Sequence, residues 1–200
     1  AELYDAAAAT FETLTAKFPK SKELAQALYY QGEALYARGH KERAAGAYQQ
    51  VVERFADSPL LPDALYALGV ARQDQGQIEP AAAAFDRFLK DFPRHALRAE
   101  VIMRRAETLS SQGQFEVAAS WFGSAAAAKD FPLADLAAMR QAQSLEAAKK
   151  LADAAAVYAT IPDRFPKSAY RQPAMLAAGN AAAEVFSRVE PTRLDRLALH

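Results

Sequence analysis

Cysteine is absent from all 200 residues, which removes disulfides, thiol nucleophiles and thiolate metal sites together. That absence is compatible with an oxidising compartment without establishing one. Histidine is almost as scarce: His40, His95 and His200 are the only three. They fall in no HExxH or other paired ligand spacing, so no metal centre is expected. Neither sign of charge is in surplus, since 24 Lys and Arg balance 24 Asp and Glu. Phosphate backbones are held by a surplus of basic side chains, so nucleic acid is not an expected partner. No apolar run approaches the roughly 20 residues of a membrane-spanning helix, so no direct membrane insertion is expected. Phosphate-cradling GxxxxGK[ST] and GxGxxG loops and the GxSxG nucleophile turn are missing too. Carboxylates are plentiful, but interleaved with Lys and Arg they form a solvated face rather than a catalytic pair. Neither a cofactor nor an enzymatic activity is expected. The chain opens on AELYDAAAATF, with no initiator Met and no signal peptide, and reads as a segment of a longer protein.

What is present is a repeat. Phe11, Tyr48, Phe85, Phe122 and Tyr158 follow one another at intervals of 37, 37, 37 and 36 residues. Four residues before each stands an alanine: Ala7, Ala44, Ala81, Ala118 and Ala154. Small residues recur in phase at Gly32, Gly69, Ala106, Ala142 and Gly179, and Gly39, Gly76 and Gly113 mark a further position. Phe-Pro punctuates the series at Phe18, Phe92, Phe131 and Phe165, with Phe55-Ala56 as a variant.

Each position has a physical role in a pair of antiparallel helices. Segments such as ALYYQGEALYARG carry apolar or small residues at helical spacing. These first helices end at glycines suited to the left-handed conformation beyond a helix C-terminus. Second helices such as IEPAAAAFDRFLKDF end at Phe-Pro, because proline cannot continue a helix. Ser21, Ser58 and Ser168 stand where an N-cap is wanted, and Pro59 follows at the favoured first helical position. Gly32 and Ala44 are expected where the two helices cross, with the aromatic residue filling the groove between neighbouring repeats. Lys149 replaces the turn glycine in the fourth repeat, so a different turn is expected there, after a two-residue insertion near Asp130–Pro132.

The small residue, the Ala-x-x-x-aromatic pair and the terminal Pro, as in Gly69, Ala81, Phe85 and Pro93, resemble the tetratricopeptide repeats. The resemblance covers roughly residues 1–186. It departs from the usual 34-residue unit in its length of about 37 and in Leu28, Leu65 or Ile102 where an early aromatic is usual. In that length it is similar to a long-loop branch in bacterial cell-envelope proteins: the Tol–Pal-associated coordinator, the barrel-assembly lipoprotein and exopolysaccharide-export scaffolds. The resemblance implies an all-α, right-handed α-solenoid of helix–turn–helix repeats. A lone second helix (2–18) would precede full repeats at 24–56, 60–93, 96–130 and 133–166. A further first helix (168–186) and an irregular or capping segment (187–200) would follow, all in one domain. It also implies a periplasmic or outer-membrane-associated location, with the cytoplasm as alternative.

First helices line the concave groove of such proteins, and partner contacts come from fixed offsets around the small residue. Three before it stand Tyr29, Tyr66, Met103 and Met139; two before it stand Tyr30, Arg104 and Arg140; one after it stand Glu33, Glu107, Gln143 and Asn180. Tyr, Met and Arg are favoured in interfaces for their contact area and polar handles. Two readings stay open: Tyr and Met either meet the partner or pack between helices, and Arg104 with Arg140 either clamps a carboxylate or pairs with Glu100 or Glu107. Tyr29 and Glu33 stand where chaperone-binding relatives carry clamp Lys and Asn, which disfavours that ligand class. The expected function is to bind another protein or peptide, the alternative being self-association into an oligomer.

Overall fold

The computed structural model describes residues 2–197, which form ten helices and no strand. α1 (Glu2–Lys17) stands first. In chain order come α2 (Leu24–Ala37) and α3 (Lys41–Arg54), then α4 (Leu61–Gln73) and α5 (Ile78–Asp91). They are followed by α6 (Arg98–Ser111) and α7 (Phe115–Ala126), then α8 (Ala134–Ala147) and α9 (Leu151–Arg164). α10 (Arg171–Leu197) is last, so the helix expected to stop at 186 runs on without an irregular segment as far as Leu197. Residues 198–200 of that expected segment lie outside the described residues.

The chain forms two compact units, residues 1–104 and 105–200. In the first, α1 packs on α2, α2 on α3, α3 on α4 and α4 on α5. Its core is built from large side chains, among them Leu28, Tyr48, Leu65, Phe85, Phe88 and Val101, all nearly or fully buried. In the second, α7 packs on α8, α8 on α9 and α9 on α10. Alanines fill most of that interior, including Ala118, Ala137, Ala138, Ala142 and Ala154, around Phe122, Tyr158 and Ile161.

The aromatic residues of α3 and α5 press closely on the small residue of the preceding helix. Tyr48 lies directly on Gly32 and Phe85 on Gly69, each within its own repeat. A Cβ built on either glycine stands 2.7 Å from the ring's Cδ1, closer than such atoms approach. Glycine lets the ring press against the first helix's backbone, and Ala44 and Ala81, both fully buried, keep the helices close.

Gly39, Gly76 and Gly113 end their first helices at φ of 81°, 73° and 74°. Lys149 does not make a different turn. It adopts φ 63° and keeps the same hydrogen bonds: its N–H donates to Glu146 O at 2.8 Å and that of Lys150 to Leu145 O at 2.8 Å. The matching bonds at Gly39 and His40 reach Tyr36 O and Leu35 O at 2.8 and 2.9 Å. The repeat's packing imposes the turn, and the lysine carries the strain of a left-handed backbone.

The connections between repeats also differ from expectation. α2 begins at Leu24 and α4 at Leu61, so Ser21 and Ser58 are not their N-caps. Each serine instead opens a tight turn leading into the helix. Ser58 Oγ accepts from Leu60 N–H at 3.2 Å, and Ser168 Oγ from Tyr170 N–H at 3.0 Å. Pro62, not Pro59, occupies the first turn of α4. His95 fills the serine's place, its Nδ1 accepting from Leu97 N–H at 3.2 Å with the ring edge-on to Phe88. Before α8 there is no insertion but a change of register. Ala128 takes the place of Phe18, Phe55, Phe92 and Phe165, and Phe131 the place of the serines, as the bonds Phe131 N–H to Ala128 O and Ala134 N–H to Phe131 O show.

Candidate functional site: a tyrosine-lined cleft in the first unit

The first helices of the first unit present a cleft of about 310 Å³. α2 supplies Tyr29, Glu33 and Tyr36, α3 supplies Tyr48, α4 supplies Tyr66, Ala67 and Val70, and α6 supplies Arg104. Tyr29, Glu33 and Tyr36 are spaced by four and three residues, which puts them on one face of α2. The Tyr29 ring is edge-on to Tyr30 at 5.4 Å and tilted against Tyr48 at 5.9 Å, both within the range of favourable aromatic pairs.

Phenol–carboxylate hydrogen bonds fix the tyrosines. Tyr48 Oη donates to Glu33 Oε1 at 2.6 Å, Tyr36 Oη to Asp74 Oδ2 at 2.6 Å and Tyr66 Oη to Glu100 Oε1 at 2.5 Å. Lys41 Nζ lies 3.4 Å from the same Asp74 oxygen. Burial, reinforced by Glu33 and Asp63, pushes the Tyr29 hydroxyl up to about 12. Burial and Asp74 push Tyr36 to about 12, and burial and Glu100 do the same to Tyr66. Arg104, hydrogen-bonded to Tyr66, opposes both of the latter shifts. Burial, then Glu33, drives Tyr48 further in the same direction. These phenols stay protonated at neutral pH, so they offer ring faces and fixed polar atoms rather than a general base.

Of the residues expected to line the groove, Tyr29, Glu33, Tyr66 and Arg104 meet in this cleft. Tyr30 stands outside its lining, 41% exposed and stacked on Phe11 at 6.1 Å. Met103 is only 3% exposed and belongs to the packed interior, so it offers a partner no surface. In the second unit Glu107 and Met139 are half-buried, while Arg140, Gln143 and Asn180 are exposed. Arg140 Nη1 donates to Gln143 Oε1 at 3.3 Å. Tyr36 and Tyr48 were not among the expected residues. Tyr36 sits seven residues after Tyr29, a signal for the same helix face; Tyr48 comes from a second helix, which the offsets ignore.

Among the described residues no group of His, Asp and Glu side chains is arranged to hold a metal ion. Likewise, no described helix is long and apolar enough to cross a membrane.

Solved structures share this fold. YrrB, described as a TPR protein with an unusual peptide-binding site, is 18% identical with a TM-score of 0.68, covering 90% of this chain and 87% of its own. TPR-like repeats of a kinesin light chain from Podosopora anserina are 16% identical, with a TM-score of 0.66 over 82% of this chain and 89% of that one. MamA from Desulfovibrio magneticus is 18% identical, with a TM-score of 0.62 over 82% and 93%. At such identities the likeness establishes the tetratricopeptide fold alone. No curated protein matches the chain. A family model does, over residues 22–180, more than half of the chain, and its description is an outer membrane lipoprotein. The tetratricopeptide-fold chain belongs to the YfiO outer membrane lipoprotein family.

Proposed function

We propose that this protein is a non-catalytic scaffold of the bacterial cell envelope that holds a peptide, helix or domain of another protein in its groove. The observation that carries this reading is the first-unit cleft, where Tyr29, Tyr66 and Arg104 converge with Glu33 on rigid helices. Preformed aromatic and arginine surfaces lose little entropy on binding and concentrate its energy. The cleft's phenols, held protonated, bring no catalytic pair with them. Arg140, exposed in the second unit, is a further contact in this reading. Family membership supports a periplasmic or outer-membrane-associated location over the cytoplasm. Fractionation of cells producing the full-length protein tests that location.

Affinity capture from an envelope extract tests the scaffold. Replacing Tyr29, Tyr66, Arg104 and Arg140 by alanine together should abolish partner recovery at unchanged helicity. Undiminished recovery moves the binding surface elsewhere.

Self-association is the second reading. Its support is the exposed apolar side chains of α1, of the connection after it and of α10, such as Leu3, Phe18, Leu176 and Phe186 at 78, 57, 68 and 66% exposure. Light scattering over a concentration series decides, since a constant monomer mass counts against it.

A further inference from the structure

The hydrogen-bonding inventory of the cleft is lopsided. Tyr36, Tyr48 and Tyr66 spend their hydroxyl protons on Asp74, Glu33 and Glu100. A phenol that donates to a carboxylate has only lone pairs left to offer, and each carboxylate keeps a second oxygen that can only accept. Arg104, the cationic donor in the lining, is already hydrogen-bonded to Tyr66. The occupant that fits brings donors for these oxygens.

Charge points the same way. Glu33, Asp63, Asp74 and Glu100 bear on these tyrosines, against Arg104 and Lys41. Glu33 is exposed at the cleft with the Tyr48 hydroxyl on one oxygen. The ring faces add a further preference, because a tyrosine face carries negative potential and attracts a cation above it. Tyr29 and Tyr66, both half-buried in the lining, present such faces, whereas the Tyr48 ring, 1% exposed, packs against Tyr29.

We propose that this cleft takes up a cationic side chain, arginine or lysine, from an extended segment of the partner, with the Glu33 carboxylate as its counter-ion. The inference rests on the reading of the cleft as the partner site and adds the chemistry of what enters it. The guanidinium or ammonium lies against the rings of Tyr29 and Tyr66, and its N–H groups meet the acceptors that the phenols and Glu33 present. The peptide stem runs over the half-buried Ala67 and Val70.

The test titrates the full chain, carrying 13C-labelled tyrosine, with acetyl-Ala-Ala-Arg-Ala-Ala-amide and with versions bearing lysine, citrulline, norleucine or glutamate at the centre. The arginine and lysine peptides should move the ring signals of Tyr29 and Tyr66. Citrulline, which keeps the shape and loses the charge, should bind about tenfold more weakly, as should the arginine peptide with Glu33→Gln. Glu33→Gln keeps an oxygen for the Tyr48 hydroxyl, and Asp63→Asn supplies a second charge removal should the first disturb folding. Equal or tighter binding of the norleucine or glutamate peptide overturns the cationic ligand class while leaving the cleft as a binding site. Unmoved ring signals with every peptide overturn the proposal, and partner capture by the alanine variants then decides the cleft reading separately.

Discussion

Phe85 rests on the bare backbone of Gly69, so close that a Cβ at Gly69 would stand 2.7 Å from the ring's Cδ1. Tyr48 repeats the relationship on Gly32, and the tyrosine cleft depends on it, since that contact holds the Tyr48 ring beside Tyr29. Gly69→Ala should therefore destabilise the protein. Overpacking costs about 1–3 kcal/mol, against a gain of about 1 kcal/mol in helix propensity. Gly46→Ala, in α3 with nothing within 4 Å of the new Cβ, should gain about 0.5–1 kcal/mol. Phe85→Ala should cost about 3–5 kcal/mol. Urea unfolding midpoints of the three variants check the set, and a stabilised Gly69→Ala contradicts the packing account.

Lys149 holds a left-handed conformation at φ 63° that its neighbours in the series assign to glycine. A non-glycine residue there costs about 1–2 kcal/mol, and glycine's greater freedom in the unfolded chain returns about half of it. Lys149→Gly should thus raise stability by about 0.5–1 kcal/mol. Thermal unfolding measures it.

His95 accepts a backbone hydrogen bond where other repeats use serine. His95→Ala should cost about 0.5–2 kcal/mol, the usual loss on removing such an acceptor, and His95→Ser should recover most of it. A serine variant no better than alanine assigns the stabilisation to the Phe88 ring contact instead.

Burial together with neighbouring carboxylates pushes Tyr29, Tyr36 and Tyr66 to about 12 from an unfolded value of 10.0. The folded state binds these protons more tightly. Their contribution is complete below the unfolded value and is lost as pH rises through about 10 to 12. Absorbance at the phenolate band should show these tyrosines ionising late or together with unfolding, and stability should fall across that window. Ionisation of all eight tyrosines near the unfolded value, with the fold intact, contradicts the buried phenol–carboxylate bonds.

Much of the fold is legible in the sequence because a period of 37 residues repeats the same packing problem. The Ala44–Tyr48 and Ala81–Phe85 pairs announce second helices, and Gly39 and Gly76 announce turns. Where residue identity and packing disagree, packing wins. Lys149 makes a glycine's turn because its helices demand it, and the Phe131–Pro132 dipeptide matches the punctuation pattern three residues out of its hydrogen-bonded register. The cleft is half legible. Offsets along the first helices reach Tyr29, Glu33, Tyr66 and Arg104, but Tyr48 enters from a second helix and Met103 turns inward. Which face a side chain takes depends on neighbours distant in sequence.

The central claim is that the partner occupies the tyrosine cleft. A photo-crosslinking phenylalanine analogue at position 29, in cells producing the full-length protein, tests it most directly, with position 46 on the exposed surface of α3 as control. The account predicts a discrete crosslinked protein from position 29 and none from position 46. Crosslinking from position 46 alone would place the partner on another face and contradict it.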